Sequence, residues 1–158
     1  MSSGVTVNQV CLDKYQELKI GQKYKYITFK LSDDLKEIVV DEAKEVSKDK
    51  SEEIAVDDTY NEFLSKLPEN MPRFAVYDFD FEKPGEGKRN KITFYSWYAG
   101  INFTLEVPDT STVRQKMLYA SSKEALRKSL VGLAIDIQGT DSSEVSYETV
   151  LDKIERKQ

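Results

Sequence analysis

Residues 113–133, VRQKMLYASSKEALRKSLVGL, decide how this chain is read. On an α-helix, positions three and four apart share a face, which aligns Leu118, Ser122, Ala125, Leu126, Ser129 and Leu133 as one stripe. That spacing predicts a helix burying the stripe against a core. The opposite face gathers Arg114, Lys116, Glu124, Arg127 and Lys128, with Val113 and Met117 among the charges rather than on the buried side. A cationic face with an apolar centre suits contact with another protein, the apolar atoms supplying area and the charges orientation. A solvated amphipathic helix with one stray methionine is the plainer reading of the same pattern.

Outward from this helix the chain alternates strands and helices. Upstream, Lys91–Trp97 sets Ile92, Phe94 and Ser96 against Thr93, Tyr95 and Trp97, and Phe74–Phe81 (FAVYDFDF) is a largely apolar run. The turn EKPGEGKRN between them predicts a hairpin at the centre of a sheet. Between Trp97 and the helix, Ile101, Phe103, Leu105 and Val107 alternate and predict another strand or hairpin arm. Tyr60, Phe63, Leu64 and Leu67 keep helical spacing until Pro68 ends it. Lys23–Leu31 predicts a strand, with Ile27, Phe29 and Leu31 on one side and Tyr24 and Tyr26 on the other. A turn at SDD and a returning strand at Ile38–Val40 follow.

Nearer the start, Val7, Val10, Cys11, Tyr15 and Leu18 trace one helical face, and Gly21 stands where a helix ends. Downstream come a short strand at Ile135–Ile137 and a last helix capped by Ser146. That helix puts Tyr147, Val150, Leu151 and Ile154 on one face and Asp152, Lys153, Arg156 and Lys157 on the other. The interleaving predicts an α/β fold, a mixed sheet covered by helices on both faces. Residues 1–6 predict a flexible leader and 7–158 a single domain.

Composition excludes several classes. Hydrophobic residues make up 39% and charged residues 32% of 158, the balance of an ordinary globular domain. No apolar run approaches the roughly 18 residues of a membrane span, and the start lacks a secretory pattern. The lone Cys11 fits a reducing compartment, so the expected setting is the cytoplasm. Residues 41–58 hold eight acidic and three basic side chains, which alone equals the net charge of −5. That segment predicts a solvated loop, and the remainder is neutral overall with room for basic patches.

Catalytic chemistry finds little material. Without histidine there is no His-based triad or HExxH site, and one cysteine without a histidine partner makes a poor nucleophile. Gly85-Glu86-Gly87-Lys88 lacks the further glycines and the strand-to-helix context of a phosphate loop. Asp78 and Asp80 alternate as the polar side of a strand. The chain is expected not to be an enzyme and to carry no metal or cofactor. Binding fares better: Lys83, Lys88, Arg89 and Lys91 make a basic hairpin beside the cationic helix. Aromatics for base stacking are not interleaved with these cations, so no nucleic acid is expected, whereas anionic headgroups such as phosphoinositides suit them.

At this point the residues resemble the cofilin and actin-depolymerising-factor family, its fungal members above all. The matching stretches are Ser3-Gly4-Val5, LKIGQKYKYITFKL with EIVV, FLSKLPEN with RFAVYDFDF, GEGKRNKITF, VRQKMLYASSKEALRKSL and GTDSSEVSYETVLDKI. Only about 41–57 and 98–107 fall outside the resemblance. It implies one actin-depolymerising-factor homology domain that binds actin monomers and filaments, prefers the ADP form, and severs and depolymerises filaments. Carried over by position, Ser3, Gly4, Val5, Arg114, Lys116 and Met117 would meet both monomer and filament. Lys88, Arg89, Lys91, Asp152, Lys153 and Arg156 would form a filament-specific surface, and Ser3 would be an inhibitory phosphorylation site. The implied protein is a monomer of the cytoplasmic actin cytoskeleton, with nuclear entry open. A sequestering or side-binding relative without severing is the alternative of the same fold, and an anionic-lipid adaptor the alternative of another class. Tyr98–Val107 departs from the family pattern as an insertion of ten residues before Pro108-Asp109-Thr110.

Overall fold

Aromatic and β-branched residues between Arg73 and Trp97 form the centre of the fold. In the computed structural model β4 (Arg73–Lys83) and β5 (Gly87–Trp97) make a long antiparallel hairpin, Tyr77 opposite Thr93. Described are residues 5–21, 23–45, 56–67, 71–83, 85, 87–98 and 110–156, with the side chains of 56–58, 82, 83, 88 and 110–116 outside that set. In chain order the other elements are β1 (Thr6–Val7), α1 (Gln9–Lys19), β2 (Tyr24–Leu31), β3 (Glu37–Glu45) and α2 (Val56–Ser65). After the hairpin come α3 (Thr110–Ser129), β6 (Ile135–Gly139) and α4 (Tyr147–Arg156). The six strands run β1-β3-β2-β4-β5-β6. Both outermost pairs, β1 with β3 and β5 with β6, are parallel and the inner pairs antiparallel. No described helix is long and apolar enough to cross a membrane.

Because side chains alternate along each strand, the sheet carries a separate core on each face. One core joins Cys11, Tyr15 and Leu18 of α1 and Tyr119, Leu126 and Leu130 of α3 to Ile27, Phe29, Phe74, Val76 and Phe94. The other joins Tyr60 and Phe63 of α2 and Val150 and Ile154 of α4 to Tyr26, Tyr77, Phe79, Tyr95 and Trp97. The predicted α/β architecture with helices on both faces is the one observed.

Several local expectations give way. Tyr24 and Tyr26 face opposite cores rather than the same one, because the β2–β3 register shifts between them. Val7 belongs to β1 and Val10 is 48% exposed, so the buried face of α1 rests on Cys11, Tyr15 and Leu18. Val5 and Thr6, expected in the flexible leader, lie in the fold: Val5 is buried and the Thr6 N–H donates to the Lys36 carbonyl at 3.1 Å.

The acidic segment is more structured than its composition predicts. Asp41–Glu45 continue β3 and α2 begins at Val56, while 46–55 lie outside the described residues. Ion pairs hold the charges there: Lys44 with Glu62 at 3.6 Å, Lys66 with Glu42 at 3.8 Å and Arg73 with Asp41 at 3.3 Å. The hairpin turn is shorter than EKPGEGKRN implied, since the strands run on to Lys83 and Gly87. Gly85 and Gly87 take the positive φ values, 81° and 84°, that so tight a reversal requires.

Candidate functional site

Helix α3 has 20 residues, about 30 Å at 1.5 Å per residue. Its buried stripe is Tyr119, Ser122, Leu126 and Leu130, one step around from the predicted stripe, and Ala125 is exposed. The phenol explains the shift. Tyr119 is buried yet keeps its oxygen bonded, accepting the Leu31 N–H at 2.9 Å, as an amphipathic ring does when its polar tip finds a partner. Burial raises the Tyr119 pKa, and the Leu31 N–H and Arg73 guanidinium oppose that rise.

Two further polar contacts fix the helix. Lys123 and Arg127 reach Asp136 of β6 at 3.1 and 3.6 Å. Arg127 therefore does not stand free on the outward face where its helical position put it. At the C-terminal end the Val131 carbonyl accepts from Tyr15 Oη and Lys19 Nζ, both at 2.9 Å. These donors, both from α1, satisfy one of the carbonyls a helix end leaves without an intrahelical partner.

Held in this way, α3 presents Met117, 63% exposed, as the sequence pattern expected. Arg114 and Lys116 belong to the first turns of the same helix, their side chains outside the described residues. The N-terminus approaches this element, since β1 packs against α3 and Val5 is buried in the core that α3 covers. Ser3 and Gly4 lie outside the described residues. Val5 and Met117, the described side chains of the expected monomer-and-filament surface, thus belong to one side of the sheet.

The other expected surface has a different address. Lys91 stands opposite Phe79 and Arg89 opposite Phe81, and residues directly opposite share a sheet face. Phe79 stacks on Tyr147, the first residue of α4, with ring centroids 4.9 Å apart. Arg89, Lys91 and α4 therefore occupy the face away from α3. On α4, Asp152, Lys153 and Arg156 are exposed, Arg156 and Asp152 pairing at 3.0 Å. Lys88 is a β5 residue opposite Glu82, its side chain outside the described residues.

Ser146 Oγ accepts the Thr149 N–H at 3.3 Å and so caps α4 as expected. Asp78 faces the α1–α3 side midway along the hairpin, where Asn90 Nδ2 donates to it at 2.9 Å. Burial pushes its carboxyl above the usual range, and Asn90 and Lys25 offset part of the rise. Among the described residues no three Cys, Asp or Glu side chains gather in a metal-binding group. Tyr98, assigned to the insertion, is a core residue whose N–H donates to the Gly139 carbonyl at 2.9 Å, while 99–107 lie outside the described residues.

Comparison with known proteins reaches a single family over nearly the whole chain. The family model for cofilin/tropomyosin-type actin-binding protein matches residues 4–155. The cofilin of Mycosarcoma maydis is 50% identical over 156 residues, 99% of this chain and 98% of that one. The cofilin of Schizosaccharomyces pombe is 46% identical, covering 98% of each. Among solved structures, Streptomyces griseoflavus cofilin superposes with a TM-score of 0.75 at 46% identity over 97% of this chain and 98% of that one. Plasmodium berghei actin depolymerization factor 2 gives 0.77 at 26% identity, covering 98% of both.

Proposed function

The chain belongs to the cofilin and actin-depolymerising-factor family, and from that premise we propose that it meets actin through two surfaces on opposite sides of its sheet. It is an actin-binding protein that depolymerises actin filaments. One surface is Ser3, Gly4 and Val5 with Arg114, Lys116 and Met117, for monomer and filament alike. The second, for filaments, is Lys88, Arg89 and Lys91 with Asp152, Lys153 and Arg156.

The observation carrying this reading is the division of the patches between the two cores. Val5 and Met117 belong to the α1–α3 side, Arg89, Lys91 and α4 to the other. A protein with a contact on each side can bridge two neighbouring subunits, whereas one with both contacts on the same side is confined to one. Bridging that favours an altered filament twist shifts the filament toward that state by the difference in affinity. Boundaries between altered and bare stretches are then where filaments break. The action is binding, with no covalent step, and the working form is a monomer in the cytoplasmic actin cytoskeleton, with nuclear entry open. Phosphoinositide headgroups compete for the same cations. Phosphorylated Ser3 adds about −1.5 to −2 charge beside the first surface and opposes binding.

Filament co-sedimentation, monomer binding and severing watched by microscopy test this. Arg114→Ala with Lys116→Ala should abolish binding to monomer and filament, while Lys88→Glu with Arg89→Glu should damage filament binding far more than monomer binding. Equal losses in both assays for the second variant would refute a separate filament surface. Ser3→Glu should weaken monomer binding at least a few-fold and Ser3→Ala should not.

A further inference from the structure

Arg73, the first residue of β4, joins three elements that sequence separates widely. Its Nε donates to Asp41 Oδ2 at 3.3 Å and its Nη1 to the Pro72 carbonyl at 2.9 Å, and it lines one recess with Leu31 and Tyr119. Only 12% of the side chain is exposed. A planar guanidinium with donors committed to a carboxylate and a carbonyl has one orientation beside Tyr119, which a flexible ammonium would not reproduce.

Asp41 is available because the β2–β3 register shifts at this point. Thr28 pairs with Glu42 and Phe29 with Val40, leaving Asp41 as the extra residue of a bulge. It takes Lys30 at 3.9 Å as well as Arg73. Tyr119, on the other side of Arg73, is the first described side chain of α3 to hydrogen-bond the sheet. The Phe74 ring also packs on Tyr119, centroids 5.3 Å apart, so apolar burial and phenol orientation come from different neighbours.

We propose that Arg73 is a positioning residue for the actin surface: acting through Tyr119, it sets the direction in which residues 110–118 of α3 leave the sheet. The proposal rests on assigning Arg114, Lys116 and Met117 to actin. Tyr119 lies nine residues from Thr110, so about 13 Å of helix precedes the anchor. A change in the phenol's seat is therefore felt at the contact residues rather than in the core. Arg89 and Lys91 of β5 and helix α4 stand outside this linkage.

The test compares Arg73→Gln, Tyr119→Phe, their combination and Arg73→Lys, each by thermal unfolding and by monomer affinity at 15 °C. In protein folded at that temperature, either single change should weaken monomer binding about five- to tenfold, within the range coupled positions show. The combination should be no weaker than the weaker single variant, because both changes break one linkage. Arg73→Lys keeps a positive charge on Asp41 and is expected to recover the unfolding temperature while binding stays weak.

A merely structural arginine would move the unfolding temperature and leave the affinity of folded protein alone. Unchanged affinity in folded Arg73→Gln, multiplicative losses in the combination, or full recovery of binding by Arg73→Lys each overturns the proposal. Should Arg73→Gln be unfolded at 15 °C, Tyr119→Phe and Arg73→Lys carry the same comparison. Wild-type binding by Arg114→Ala with Lys116→Ala removes the surface assignment and this proposal together. Loss of binding there, with Arg73→Gln binding as wild type, removes this proposal alone.

Discussion

Replacing Tyr60 with phenylalanine should cost far more stability than replacing Tyr95, although the two hydroxyls touch. Tyr60 Oη donates to the Val145 carbonyl and stands 3.0 Å from Tyr95 Oη. A hydroxyl has one proton, so with Tyr60's committed to Val145, the Tyr95 proton has two acceptors within reach, Tyr60 Oη and Thr93 Oγ1, the latter also at 3.0 Å. Burial holds both phenols protonated by driving their pKa values upward. Tyr60→Phe keeps the ring among Phe63, Tyr77, Phe79 and Tyr147, but leaves the Val145 carbonyl without its donor and Tyr95 with Thr93 Oγ1 as its remaining hydroxyl partner.

A buried orphan costs about 1–3 kcal/mol, and the Val145 carbonyl, enclosed in the core, takes the upper end of that range, which puts Tyr60→Phe near 3 kcal/mol. In Tyr95→Phe, Tyr60 still donates to Val145, and Thr93 Oγ1 keeps the Tyr77 carbonyl at 3.1 Å. No buried proton is stranded, so the cost should be about 1 kcal/mol or less. For a chain of this size the first change lowers the melting temperature by about 6–12 °C and the second by no more than about 4 °C. Calorimetry of both variants at pH 7 decides it, with monomer binding at 15 °C as the control that neither should move. Equal losses, or a larger one for Tyr95→Phe, would refute the proton assignment.

Two other outcomes follow from the buried polar groups and from the start of the insertion. Because burial raises the Asp78 pKa above its ordinary 3.8, the folded state holds that proton longer than the unfolded chain. Its contribution is present at low pH and is lost as pH climbs through the raised value. Asp78→Asn should remove that decline, so the difference in stability between variant and wild type grows with pH above the ordinary carboxylate range, as denaturant melts at stepped pH would show. Tyr98→Ala should cost about 3–5 kcal/mol, and a deletion of 98–107 should be destabilised by a similar amount relative to a deletion of 99–107. Equal melting temperatures for the two deletions would show that Tyr98 is not the core residue it is taken for here.

Periodicity made most of the fold legible. Cys11, Tyr15 and Leu18 read as a helix face and are one, and Phe94 and Tyr95 read as opposite sides of a strand and face different cores. Period failed where polar chemistry was superposed on it. Tyr119 lost its place in the α3 stripe to Ala125 and Ser129, because a phenol scores as half-polar until its hydrogen bond is known. Asp41–Glu45 hid a strand beneath a charge run, the ion pairs that make those charges tolerable lying on α2 and β4, out of view of any local window.

The site was legible in another way. Charge and periodicity picked out the cationic helix face and the basic hairpin, and family motifs assigned their residues to actin, since exposed lysines and arginines are common on any surface. The Asp41–Arg73–Tyr119 linkage escaped both routes. Its members are dispersed along the chain, and no spacing rule joins them. An arginine at the head of an otherwise apolar strand was the one local sign.

The six-stranded sheet also acts as a partition. The aromatic core beneath α3 and the one beneath α4 meet only through the backbone of the strands they share, so a side-chain volume changed on one side finds no neighbour on the other. Substitutions on opposite faces should add in free energy, as distant sites do. A lineage could thus strengthen its grip on filaments by drift in the hairpin and α4 while its hold on monomers stays as inherited. Two affinities that must be balanced against each other are in this architecture separately heritable, which gives selection two independent dials on a single domain.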